Sequence, residues 1–166
     1  ILFQNIKGSK YKAVSNLFGS LNRSKYIFRD SLQIVKDLIE IKTDPISVIK
    51  NPIKSLFTVF NGIFAIPKKV RFKGFEEIEI NDLPQIKCWK DDGGAFITLP
   101  QVYTEDIENP GIMNSNLGMY RIQLSGNNYE SNKEIGMHYQ LHRGIGVHQK
   151  KANKKGKALK VSIFIG

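Results

Sequence analysis

Residues 114–146 read NSNLGMYRIQLSGNNYESNKEIGMHYQLHRGIG and hold two of the three histidines together with two arginines. Leu117 to Leu124 has the character of a strand. Alternation would put Tyr120, Ile122 and Leu124 on one face and Met119, Arg121 and Gln123 on the other. An arginine in mid-strand costs desolvation unless it meets an anion. Two partners would satisfy Arg121: an acid elsewhere in the fold, or a phosphate or carboxylate ligand.

Glu134 to His142 reads as the returning strand after the Gly126-Asn127-Asn128 turn. His138, Gln140 and His142 would then share a face, with Arg143 opposite. The glycines after Arg143 let backbone N–H groups approach an anion closely, which suits a phosphate. Two histidines four residues apart on a strand stand about 13 Å apart by rise alone, too far to share one ion. One histidine with an oxygen ligand such as Asn116 suits a harder divalent ion better. A hydrogen-bonded structural role is the plain alternative for each histidine.

The elements that must position these groups divide into two characters. Ile1 to Ile6 and Ala13 to Phe18 read as two strands. A helix capped at Asn22 or Ser24 is expected to run to about Lys42, with Phe28, Leu32, Val35 and Ile39 on its apolar stripe. Asp44-Pro45 can start a short second helix. Ile53 to Ile66 has helical period until Pro67. That run is about 14 residues and contains Lys54, whereas a membrane span needs roughly 20 apolar residues. A packed or partner-facing helix is expected instead, with no membrane span.

A boundary is expected near Pro84, separating an N-terminal α/β segment (1–83) from a β-rich domain (84–166). In the second part, Gln85 to Trp89 and Ala95 to Leu99 read as strands around the Asp91-Asp92-Gly93-Gly94 turn. Pro100 to Pro110 reads as an extended loop, and Leu159 to Ile165 as a last strand. Six lysines between Gln149 and Lys160 carry much of the formal charge of +10. They read as a solvated basic loop. Without interleaved aromatics, nucleic acid is not the expected partner. The single cysteine, Cys88, permits no intrachain disulfide and reads as core rather than nucleophile, favouring a reducing compartment. The apolar opening ILFQNI shows no signal-peptide pattern. With the apolar ending VSIFIG, it leads to the expectation that the 166 residues are an internal piece of a longer protein.

The runs PQIKCWKDDGGAFITLP, NSNLGMYRIQLSG, HYQLHRGIGVH and LKVSIFIG, with the opening ILFQNIKGSKYKAVSNLFGS, resemble the UbiD-type decarboxylases, the 3-polyprenyl-4-hydroxybenzoate carboxy-lyase family. The likeness covers most of the chain and is weakest from Asp37 to Ile80. It rests on the NLGMYR and HRG runs together. The resemblance implies an α+β chain: a small α/β segment followed by part of an FMN-binding split β-barrel. It implies reversible, non-oxidative decarboxylation of aromatic or α,β-unsaturated acids. Its cofactor would be prenylated FMN, held with a divalent metal such as Mn²⁺ and a monovalent cation such as K⁺.

Carried over residue by residue, the resemblance makes Asn116 and His142 metal ligands. It makes Met119, Tyr120, Arg121, His138, Tyr139, Gln140, Arg143 and Gly144 cofactor-lining residues. Arg121 is also the arginine of the catalytic set, whose carboxylates would come from chain beyond Gly166. The implied partners are a small aromatic or acrylic acid and a flavin prenyltransferase that supplies the cofactor. A cytoplasmic homo-oligomer is implied for the full-length protein, and the fragment alone is expected to be inactive. Two other readings stand beside it: a flavin-reductase-like split barrel that binds ordinary FMN, and a binding module that uses the lysine run.

Overall fold

The computed structural model describes residues 1–62 and 76–165. The described residues form two compact units, 1–6 with 12–62 and 7–11 with 76–165.

In the first unit, β1 (Leu2–Phe3) pairs antiparallel with β2 (Ala13–Val14). Helix α1 (Leu21–Ile27) starts at Ser20, whose side chain accepts from the Arg23 N–H at 3.3 Å. Helix α2 follows at Leu32–Thr43. The single helix expected through Lys42 is therefore broken at residues 28–31. Asp30 and Ser31 are poor helix-interior residues because their side chains compete for backbone partners. The Ser31 hydroxyl does this, donating to Phe28 O at 3.3 Å.

After Asp44, whose carboxylate accepts from the Ile46 N–H at 3.1 Å, come α3 (Ser47–Lys50) and α4 (Pro52–Gly62). Pro52 opens α4, where its missing N–H costs nothing. The expected continuation to Ile66 lies outside the described residues. Lys54 on α4 bridges Asp37 at 3.0 Å and Glu40 at 2.9 Å on α2.

The second unit carries two three-stranded antiparallel sheets. One has the order β3-β6-β7, from β3 (Phe96–Ile97), β6 (Ile122–Gln123) and β7 (Gly136–Met137). The other has the order β5-β4-β8, from β4 (Gln101–Glu105), β5 (Ser115–Met119) and β8 (Val161–Phe164). Helix α5 (Gly144–Lys154) packs against β4. Ala95, Val102, Ile122, Leu124 and Ile145 form the buried core.

The expected strand Leu117–Leu124 is two strands in different sheets, with Tyr120 and Arg121 at the bend between them. Alternation fails at that bend: Met119 is exposed while Gln123 is buried. A strand that turns a corner between sheets behaves this way. Residues 101–105, expected as loop, form the central strand of their sheet, because Val102 and Thr104 alternate into the core. Residues 85–89 form no strand, although the Phe96 N–H donates to Ile86 O at 2.9 Å. Cys88 is exposed rather than core.

The first half of the lysine run is helix. Lys150, Lys151 and Lys154 lie on α5, and Lys155 is its C-cap. Cations there suit the negative end of the helix dipole. Gly156, at φ +60°, ends the helix. Its N–H donates to Asn153 O and the Lys157 N–H to Ala152 O, each at 3.0 Å, the paired bonds of a Schellman stop. Lys151 also pairs with Asp106 and, at 3.4 Å, with Glu108, so part of the basic charge is neutralised in space.

Candidate functional site

The end of β5, the bend at Tyr120–Arg121, the segment after β7 and the start of α5 surround one open cleft of about 570 Å³. This lies within the roughly 300–1,000 Å³ common for small-molecule sites. Its lining includes Asn116, Met119, Tyr120, Arg121, His138, Tyr139, Gln140, Arg143 and Gly144, joined by Leu117 and Gly118. His142 is exposed, in the turn before α5, and is not among the lining residues.

Each wall has a local cause. The ring of Tyr120 lies over Gly118, where a Cβ would stand 2.8 Å from Tyr120 Cε2. The glycine thus makes room for the tyrosine, whose hydroxyl accepts from Asn116 Nδ2 at 3.2 Å. That bond turns Asn116 Oδ1 toward Gly144, where a Cβ would sit 2.1 Å from it. Gly144 is therefore required for the first turn of α5 to approach Asn116.

Arg143 is the N-cap of α5. Its N–H donates to Gln140 O at 2.9 Å and its Nε to Gln140 Oε1 at 3.2 Å. Gly146 permits a further close approach, since a Cβ there would lie 2.4 Å from Leu141 O. The helix is anchored from below by Ile145 and by His148, whose Nδ1 is 2.9 Å from Thr104 Oγ1. The cleft thus receives an arginine and the free N–H groups of a helix start, the equipment of an anion site.

Arg121 lines the same cleft. Its Nη2 lies 2.7 Å from Asp92 Oδ2, and its guanidinium carbon lies 3.8 Å from the Phe96 ring centroid. Phe96 in turn meets His138 edge-on, with centroids 5.8 Å apart. The His138 N–H donates to Arg121 O at 3.1 Å. The bond with Arg121 holds the Asp92 carboxyl below its ordinary range against the opposing effect of burial, helped by the Trp89 N–H. Of the two partners open to Arg121, the acid within the fold is therefore present. Arg121 lines the cleft, and among the described residues its guanidinium makes no hydrogen bond besides the one from Nη2 to Asp92.

Sequence reasoning assigns Asp92 to a turn and misses this pairing. The signal is the Asp91-Asp92-Gly93-Gly94 run itself, whose second carboxylate caps the turn by accepting from the Trp89 N–H at 3.2 Å.

The residues fit the two groups of the implied cofactor site unequally. A phosphate-bearing aromatic ligand matches the cleft's size, its two arginines, the α5 start and its aromatic walls. A divalent cation finds one amide oxygen, Asn116 Oδ1, and no group of three or more His, Cys, Asp or Glu side chains that could hold it among the described residues. The described residues do not by themselves complete a metal site.

The model of the 3-octaprenyl-4-hydroxybenzoate carboxy-lyase Rift-related domain, UbiD, matches residues 65–166. A 4-hydroxybenzoate decarboxylase subunit of Chlamydia pneumoniae is 33% identical over 173 residues, which cover 99% of this chain and 28% of that protein. An uncharacterized protein of Aquifex aeolicus is 34% identical over 175 residues, covering 100% of this chain and 34% of its own. The solved 3,4-dihydroxybenzoic acid decarboxylase of Klebsiella pneumoniae shares the fold with a TM-score of 0.62 at 17% identity, over 99% of this chain and 31% of that one. The chain spans about 28% of the length of the first relatives it matches. Since the family model takes in most of the chain, including every wall of the cleft, the chain belongs to the UbiD family.

Proposed function

We propose that this chain supplies the cofactor-facing half of a reversible, non-oxidative decarboxylase of aromatic or α,β-unsaturated carboxylic acids, with prenylated FMN in the cleft. The observation that carries the reading is the convergence of Arg121, His138–Gln140 and Arg143–Gly144 on one cleft in a UbiD-family chain. In this reading residues 84–166 belong to a split β-barrel. Full-length protein would be a cytoplasmic homo-oligomer supplied with cofactor by a flavin prenyltransferase.

Arg143 and the first N–H groups of α5 would hold the cofactor phosphate, a charge-assisted arrangement that a helix start favours. Met119, Tyr120, His138, Tyr139 and Gln140 would line the ring system. Prenylated FMN supplies the azomethine-ylide chemistry that makes and breaks the bond to the carboxylate carbon. Arg121 would bind and orient the substrate carboxylate with guanidinium N–H groups that Asp92 does not hold. Asn116 would give one oxygen to Mn²⁺, with K⁺ as a second cation. Asn116 and His142 together do not suffice for that ion, so remaining ligands would come from other chain. The same holds for the carboxylates that exchange the proton at the decarboxylated carbon.

The experiment is co-expression of the full-length protein with a flavin prenyltransferase, then measurement of flavin absorbance and CO₂ release from a panel of aryl and acrylic acids. Prenylated flavin with CO₂ release supports the reading. Ordinary FMN with hydride transfer and no CO₂ release would favour a reductase-like split barrel instead.

A further inference from the structure

We infer that Asp92 is a positioning residue for Arg121, fixing the guanidinium at the cleft so that it meets a carboxylate in one orientation. The inference rests on the decarboxylase reading for its catalytic consequence, and on geometry alone for the restraint itself.

An arginine at the surface of an open cleft has many rotamers, and each must be lost when it binds an anion. Arg121 has already lost them. Asp92 holds one Nη at 2.7 Å, and the Phe96 ring lies 3.8 Å from the guanidinium carbon, so one contact fixes an edge and the other fixes the plane. Asp92 is itself fixed. Its side chain is only 9% exposed, and it accepts from the Trp89 N–H within its own turn.

That turn is locked to the neighbouring segment. The Ala95 N–H donates to Ser125 Oγ at 3.1 Å, and a Cβ on Gly94 would stand 1.8 Å from Ser125 O. A Cβ on Gly126 would stand 1.5 Å from Gly93 O. The chain at 92–96 therefore carries both the acid and the ring that aim Arg121. The orientation of the arginine is set from outside the bend that bears it.

The test uses full-length protein with isotope-labelled arginine, in parent, Asp92→Asn and Asp92→Glu forms. Arg121 is assigned by the signal lost in Arg121→Lys. In the parent, the Arg121 guanidinium should give separate, slowly exchanging N–H signals. In Asp92→Asn these should merge or vanish while the melting temperature and flavin content stay close to parent. With loaded enzyme, kcat/KM should fall about 10- to 100-fold in Asp92→Asn, the scale of a misplaced catalytic group. Asp92→Glu keeps the charge on a longer arm, so it should restore the restrained signals and recover part of kcat/KM.

Parent-like signals and parent-like kcat/KM in Asp92→Asn would overturn the inference. Should Asp92→Asn not fold, Asp92→Ser decides: parent-like guanidinium signals with unchanged kcat/KM would overturn the inference, and merged signals with kcat/KM lowered several-fold at full flavin content would support it. If the parent releases no CO₂ from any acid, the decarboxylase reading fails, while the Arg121 signals still decide whether Asp92 restrains the guanidinium.

Discussion

Arg121 Nη2 sits 2.7 Å from Asp92 Oδ2 at the point where the chain leaves one sheet for the other. A bend in a strand exposes a side chain that a straight strand would bury or solvate, and here the turn at 91–94 supplies the acid that holds it. Arg121→Ala should lower kcat for decarboxylation by at least about 10²-fold, the scale of losing one preorganised electrostatic contact. Flavin content should stay near parent. Arg121→Lys should recover little, because an ammonium cannot present the planar fork. Steady-state kinetics on flavin-loaded protein checks both.

Gly144→Ala should impair ligand binding rather than folding. Its Cβ would stand 2.1 Å from Asn116 Oδ1, on the cleft side of the first helical turn. Ala is otherwise the better helix former by about 1 kcal/mol. The expected result is a melting temperature near parent with flavin occupancy reduced about tenfold, read from the absorbance ratio of purified protein.

Gly94→Ala should do the opposite kind of damage. The clash there is with backbone, Ser125 O at 1.8 Å, and cannot be relieved by a side-chain rotation. A loss of more than about 2 kcal/mol is expected, in the range of core-disrupting substitutions. Chemical denaturation of the two proteins side by side measures it.

Thr104→Val should destabilise the contact between α5 and β4. Thr104 and His148 are both buried, and the 2.9 Å bond joins the hydroxyl to Nδ1. Removing the hydroxyl leaves a buried ring nitrogen unpaired, at a cost of about 1–3 kcal/mol. The same method reads it, and Thr104→Ser should be milder.

Acid sensitivity should trace in part to Asp106. Its carboxyl is held below the ordinary value of 3.8 chiefly by the Lys151 ammonium, then by the Glu108 N–H. A carboxyl whose folded pKa is depressed contributes stability above its unfolded value and loses it as pH falls through the folded one. Stability should therefore be flat above the ordinary carboxylate range and decline below it. Asp106→Asn should be less stable than parent at neutral pH and should show a shallower acid decline, measurable by thermal melts across pH.

The chemistry-bearing residues are legible in the sequence because their types are costly: an arginine in a strand and a glycine-flanked arginine both demand partners. Their convergence on one site is what the resemblance carried by the paired NLGMYR and HRG runs implies. What the sequence conceals is geometry. Helix α5 buries a stripe of Ile145, His148 and Ala152, but one of the three is polar and lysines surround them, so the period is masked. Strand β4 hides behind Thr104, a polar residue at a core position. The bend at Tyr120–Arg121 has no glycine or proline to announce it and is set by tertiary packing. Alternation places His138 and His142 on a strand that in fact ends at Met137, so their separation cannot be read from strand rise. Asp92 is invisible as a partner because the bond to Arg121 spans 29 residues and two elements.

The central claim, that this cleft holds prenylated flavin for decarboxylation, is tested most directly on full-length protein co-expressed with a flavin prenyltransferase. CO₂ release from an aryl or acrylic acid should accompany the cofactor's absorbance, and Arg121→Ala should lower release by at least about 10²-fold while the absorbance remains. Full-length protein that binds no flavin under those conditions, or an Arg121→Ala variant that turns over at the parent rate, would contradict it.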